Sequence, residues 1–203
     1  MKSLEYYISP ISNRYTTALQ KLHQGGHRAS TEISPLDDKC YLLVHKVMFS
    51  CEVAAAMAKL EEDLCISSWY FVDFSCKNFN ALSHLSSSAI RAVSDAGHEI
   101  GFYFKNIEEA KTVLRARKEI CDLLGVDIQI HMRDFEDDSG NYKDISRVKA
   151  DGYSKVYDDS SGQPWDQSML EDFRHGYGGA IALIVHPIYW LENRIRSRDI
   201  KRR

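Results

Sequence analysis

Two hydrophobic rhythms alternate along this chain, and that alternation most constrains its fold. Short apolar runs of strand length, starting with Tyr41-Leu42-Leu43-Val44-His45-Lys46-Val47-Met48-Phe49, exchange with longer segments whose apolar residues recur every three or four positions. The run at 41–47 leads to a helical segment at 52–64 in which Val53, Ala56, Met57 and Leu60 share a face. Further strands are predicted at 68–73, 99–104, 127–131, 154–157 and 180–185, and further helices at 87–96, 107–124, 167–174 and 189–200. Gly97 and Gly125 stand where helix ends favour a left-handed residue. Ahead of these units, helical spacing over 4–22, interrupted by Pro10 and ended by Gly25 and Gly26, predicts a helical cap within 1–26. Residues 27–39 are polar and turn-rich, and predict a connecting loop.

Strands that alternate with helices of this length form parallel βαβ units, which makes the fold class α/β. Such units close as a distorted (β/α) barrel or stay open as a doubly wound sheet, and both arrangements bind ligands at the carboxyl ends of the strands. The sequence puts His45, Lys46 and Met48, then Asp73, Tyr103 and Lys105, then His131 and Arg133, then Asp158 and Asp159, and finally His186 at those ends. Three histidines on three separate strand ends point to a shared pocket.

Composition narrows the partners. A chain of 203 residues, 44% hydrophobic and 27% charged, suits a single globular domain over 1–203. A formal charge of -3 gives no reason to expect nucleic acid, and the basic group Arg194, Arg196, Arg198, Lys201, Arg202 and Arg203 reads as a solvated helix end. The five cysteines form no C-x-x-C pair, so neither a disulfide framework nor a zinc knuckle is expected. The start of the sequence lacks the apolar core of an export signal, and no apolar run reaches about 18 residues, so no membrane span and a cytoplasmic location are expected. A homo-oligomer is compatible with such a chain.

Six stretches, in order, resemble one family. Gly97-His98-Glu99-Ile100-Gly101-Phe102-Tyr103 is similar to the G-H-E-I-G-L-H segment of NodB-type polysaccharide deacetylases, and of the deacetylase-like proteins of bacterial O-antigen clusters. Leu43-Val44-His45-Lys46-Val47-Met48-Phe49-Ser50 is similar to L-R-H-D-V-D-F-S, and Ser67-Ser68-Trp69-Tyr70-Phe71-Val72 to R-S-T-Y-F-V. Ile130-His131-Met132-Arg133 resembles the S-x-H-R-P strand end; Tyr157-Asp158-Asp159-Ser160-Ser161-Gly162 with Trp165 resembles S-D-S-x-G-x-W; Ile184-Val185-His186-Pro187-Ile188-Tyr189-Trp190 resembles L-x-H-P-x-x-W. The resemblance implies an irregular (β/α) barrel with about seven strands. In active members, it further implies, one Asp and two His hold a divalent metal, a second Asp is the base and a C-terminal His the acid.

Here Lys46 and Met48 fill the two acidic positions of the first motif, Tyr103 fills the histidine position of the second, and Lys105 stands two residues beyond it. An ammonium has no lone pair and repels a cation, whereas a catalytic zinc normally takes three protein ligands. No metal or other cofactor is therefore expected. The Lys46 head is expected in the ion's place, met by Tyr103, Asp73 or the acidic loop at 134–144. The candidate catalytic residues are His186 and Lys46, and the candidate binding residues His131, Arg133, Tyr103, Asp73, Asp158 and Trp165. His45 is expected to be satisfied by a backbone group, and His98 and Glu99 to serve the fold. The function implied is that of a deacetylase-like protein of bacterial surface-carbohydrate biosynthesis, without metal-dependent deacetylation, that binds a carbohydrate, a nucleotide sugar or a partner. The alternative is an active N-deacetylase or other amide or ester hydrolase with a rearranged site built on His186 and Lys46.

Overall fold

In the computed structural model, residues 11–32, 37–77, 79–134, 153–159, 165, 171 and 179–191 are described. Helix α1 (Asn13–Gln24) is followed by β1 (Arg28–Ser30), β2 (Cys40–Val47), α2 (Cys51–Asp63), β3 (Trp69–Val72), α3 (His84–Asp95) and β4 (Glu99–Phe104). Then come α4 (Ile107–Arg115), α5 (Arg117–Leu124), β5 (Ile130–Arg133), β6 (Lys155–Asp158), β7 (Ile181–Val185) and a 3-10 turn at Pro187–Trp190. All seven strands among the described residues are parallel, in the order β5-β4-β3-β2-β7-β6, with β1 beside the start of β2. The sheet curls into a half-barrel. No described helix is long and apolar enough to cross a membrane.

Central β2 explains the opening apolar run. It is flanked on both sides and buried on both faces along all eight residues, so its sequence cannot alternate with polar positions. On the concave face Leu42 and Val44 join Phe71, Tyr103, Ile130, Met132, Ala182 and Ile184 in the barrel interior. The helix-facing side packs Val47, Tyr70, Val72, Ile100, Phe102 and Phe104 under α2 to α5, while Tyr41 and Leu43 meet α1 residues Tyr15, Ala18, Leu19 and Leu22. Gly101 is a packing requirement of the interior: a Cβ there would lie 2.3 Å from the Phe71 ring. Gly97 closes α3 at φ +83°.

Several expectations change in detail. The loop expected at 27–39 contains β1, held to β2 by the register Arg28↔Cys40. The single helix expected over 107–124 divides at Ala116, and the strand expected at 127–131 starts at Ile130. Residues 1–10 of the helical cap and most of the helices expected at 167–174 and 189–200 lie outside the described residues.

Beneath the helix-facing side of β2 and β3 sits a fully buried carboxylate. Glu61 of α2 accepts from Tyr15, from Ser68 Oγ at 2.6 Å and from Tyr70 at 3.1 Å, and lies 2.9 Å from His45 Nε2. The His45 Nε2 is therefore met by a side chain, while its buried Nδ1 has no hydrogen-bond partner among the described residues, and the ring stacks on Tyr70 with centroids 4.1 Å apart. Ser68 Oγ also lies 2.9 Å from His98 Nδ1, while His98 Nε2 donates to the Ala58 carbonyl at 2.9 Å. The expectation that His98 serves the fold matches this placement. Burial raises the Glu61 carboxyl, but His45, Ser68 and Tyr15 together outweigh it and leave it below its ordinary value of 4.5. Burial lowers His98 from 6.5. Both shifts have one sign. The unfolded chain binds protons that the folded chain refuses, so stability is complete above the ordinary values and falls first below about pH 6.5 and again below about pH 4.5. Thermal melts from pH 7.5 to 4 are expected to show a descending midpoint; a flat profile would contradict the network.

Candidate functional site

Strand parity decides which side chains reach the concave mouth of the sheet. Lys46 is in register with Phe71, and Tyr103 with Met132, both interior residues. Each strand alternates faces, so Asp73, Lys105, Asp134, Asp158 and His186, each two positions beyond an interior residue, fall on the same side. His186 follows the last registered pair His45↔Val185, so it adjoins Lys46 on the neighbouring strand.

The mouth is an ion-pair network. Lys46 Nζ donates to Asp134 Oδ1 at 3.0 Å and lies 5.4 Å from the centroid of the Tyr103 ring. The Tyr103 hydroxyl donates to the other Asp134 oxygen. Burial, then the Asp134 charge, raises the Tyr103 phenol, so it stays a donor. Beside this cluster Lys105 Nζ donates to Asp73 Oδ2 at 2.5 Å, and the other Asp73 oxygen accepts from Ser75 N at 3.0 Å and Ser75 Oγ at 2.9 Å. Lys46 and Asp73 are buried. A shallow crevice beside Lys46 is lined by Met48, Phe49, Ser50, Pro187 and Ile188.

A second cluster holds His186. Its Nδ1 lies 2.5 Å from Asp159 Oδ1, its backbone N–H donates to both Asp159 oxygens at 2.9 and 3.1 Å, and Trp190 Nε1 donates to Oδ2 at 2.7 Å. Asp159 was foreseen only as a strand-end acid. Its role as the partner of His186 becomes visible once β6 and β7 are paired at Asp158↔Ile184.

Three expected residues stand elsewhere. His131 is in register with Phe102 and Arg133 with Phe104, so both take the helix-facing side; the His131 ring is 5.5 Å from that of Phe104. The expectation of a rim shared by three histidines is corrected accordingly, since His45 also faces the helices. Trp165, 8% exposed, packs 4.8 Å from Trp190 and 6.1 Å from Tyr15, in the core under α1. Asp158 remains at the exposed end of β6.

The donor set does not suit the divalent ion that the sequence resemblance associates with active members. At the mouth the position of an acid carries the Lys46 ammonium, already held by Asp134, and the Tyr103 hydroxyl donates rather than offering an imidazole lone pair. Among the described residues, Asp158, Asp159 and His186 bring three donor atoms within 4.8 Å of one another. There both Asp159 oxygens are already occupied by N–H groups, and His186 Nδ1 faces a carboxylate oxygen.

No protein-family model matches the sequence, and none of the curated proteins matches it. Solved structures are similar in fold. A peptidoglycan N-acetylglucosamine deacetylase superposes with a TM-score of 0.52 at 12% identity, over 82% of this chain and 81% of that one. A family 4 carbohydrate esterase from Streptococcus mutans gives 0.48 at 9% identity, over 81% and 82%. A family 4 pseudoenzyme from Bacillus anthracis gives 0.47 at 15% identity, and this chain spans 74% of itself but 55% of that protein. The parallel half-barrel and the superposition on the peptidoglycan deacetylase agree: the chain has the fold of the polysaccharide deacetylases of carbohydrate esterase family 4.

Proposed function

We propose that this protein is a non-hydrolysing, carbohydrate-binding member of bacterial surface-carbohydrate metabolism, built on a deacetylase scaffold and independent of a metal ion. One observation carries the reading: at the carboxyl end of β2, the position that the motif resemblance assigns to an acid, stands an ammonium bonded to Asp134 beneath Tyr103. A positive charge there opposes entry of a divalent cation. The half-exposed Lys105 and Asp134 leave donors and acceptors facing solvent at the mouth, which suits sugar hydroxyls. The ligand class is a saccharide or nucleotide sugar.

The His186–Asp159 pair supports a second reading. An imidazole held through Nδ1 keeps Nε2 for proton exchange, as a general acid or base requires, and Lys46 on the adjoining strand could stabilise an oxyanion. One assay separates the two. Purified protein is incubated with zinc, manganese or magnesium and a panel of N-acetylated sugars; acetate is quantified, and saccharide contact is read by saturation-transfer NMR. Saccharide contact without acetate is the expected result. Acetate released at an ordinary enzymic rate and lost in His186→Ala would replace the first reading with the second.

A further inference from the structure

The buried carboxylate under β2 and the imidazole at the mouth are joined by an unbroken run of contacts. Tyr15 of α1 donates to Glu61, and its ring packs 5.2 Å from Trp190 at 60°. Trp190 donates through Nε1 to Asp159, and Asp159 holds His186 by both ring and backbone nitrogen. Tyr15, Glu61 and Trp190 are at most 1% exposed, and Asp159 is 1% exposed. Close packing at these positions leaves the indole little freedom to move unless Tyr15 moves with it.

We infer that Tyr15 is a positioning residue for the His186–Asp159 pair: anchored by Glu61, it fixes the Trp190 indole, whose N–H fixes the Asp159 carboxylate. The carboxylate has two oxygens and four close N–H contacts, of which Trp190 supplies the one from outside the His186 residue. Losing that contact leaves the carboxylate held by the His186 residue alone, so Oδ2 loses its link to the core and the acceptor of the His186 Nδ1 hydrogen bond is less firmly fixed. The inference concerns the geometry of the pair, and holds whether the mouth binds a sugar or hydrolyses one.

Tyr70 provides an internal control. Its hydroxyl also donates to Glu61, at 3.1 Å, but its ring partners are His45 and His98 rather than Trp190. Tyr15→Phe and Tyr70→Phe each delete one hydroxyl from the same carboxylate, so general loosening affects both alike. The full chain is labelled with 15N-histidine, and the His186 Nδ1–H signal is assigned by its loss in His186→Gln. Tyr15→Phe is expected to speed exchange of that proton with solvent about threefold or more and to shift the His186 ring nitrogens, as Trp190→Phe does directly. Tyr70→Phe is expected to leave both unchanged. If Tyr15→Phe folds and leaves the His186 signals where they were, or if Tyr70→Phe moves them equally, the inference fails. If Tyr15→Phe does not fold, Trp190→Phe decides the last link: unchanged His186 signals there overturn the inference as well.

Discussion

Glu61→Ala is expected to remove about 3–5 kcal/mol of stability, the range found when one partner of a buried charged pair is deleted. The structural reason is the number of groups the carboxylate serves. Without it, the hydroxyls of Tyr15, Ser68 and Tyr70 and the Nε2 of His45 all lose an acceptor inside a region closed to water. Each orphaned buried polar group costs about 1–3 kcal/mol, although relaxation and re-pairing reduce the sum. The four groups come from α1, β2, β3 and the residue preceding β3, so the loss loosens several elements at once. Against a typical domain stability of about 5–15 kcal/mol, a loss of this size brings the variant close to unfolding at room temperature. Urea denaturation followed by circular dichroism measures it. Glu62→Ala is the companion, since the Glu62 side chain is 44% exposed and pairs with the exposed Lys59; it should change stability by less than about 1 kcal/mol. Equal midpoints for the two variants would show that the buried network contributes nothing special.

That contrast also shows what could be read in advance. Apolar runs alternating with helical spacing predicted β2, β3, β4 and β7 with α2 and α3, because parallel strands inside the sheet and buried on both faces are continuously apolar, and the weaker run at 154–157 predicted the edge strand β6. Edge features were harder. Three-residue β1 has too little apolar sequence to stand out from a polar loop, and the break at Ala116 lies within uninterrupted helical spacing. The mouth was legible as a set of strand-end residues but not as faces: Lys46, Tyr103 and Asp73 point inward, and His131 and Arg133, at similar strand ends, point outward. A shift of one residue in phase reverses the face, and a strand end fixes position without fixing phase. Lys46 was expected to meet Tyr103, Asp73 or the acidic loop, and it meets Tyr103 and Asp134, the first residue of that loop. Glu61 was missed because Glu61-Glu62-Asp63 looks like a solvated helix end. The signal was present in the spacing, since Val53, Met57 and Glu61 recur every four residues and continue the buried stripe into the charged run.

Lys46→Asp is expected to create a dependence on divalent cations. The substitution deletes an ammonium 3.0 Å from Asp134 and faces that carboxylate, with Tyr103 close by, with a second one. Asp134 is 44% exposed at its side chain, so water relieves part of the repulsion, and the cost is set at about 2 kcal/mol, below the range for a fully buried pair. For a chain of this size that corresponds to a melting temperature lower by about 4–8 °C. The same change supplies oxygen ligands for a divalent ion, and an ion that binds only the folded state at a hundred times its dissociation constant restores about 2.7 kcal/mol. Melting curves with and without zinc, manganese or magnesium should therefore rise for Lys46→Asp and stay level for the natural protein. Lys46→Met separates lost pairing from gained ligation, since it destabilises without acquiring a response to metal. If the natural protein is stabilised by the same ions as strongly as Lys46→Asp, the ammonium does not exclude them, and a metal-assisted reaction at His186 becomes the better account of this mouth.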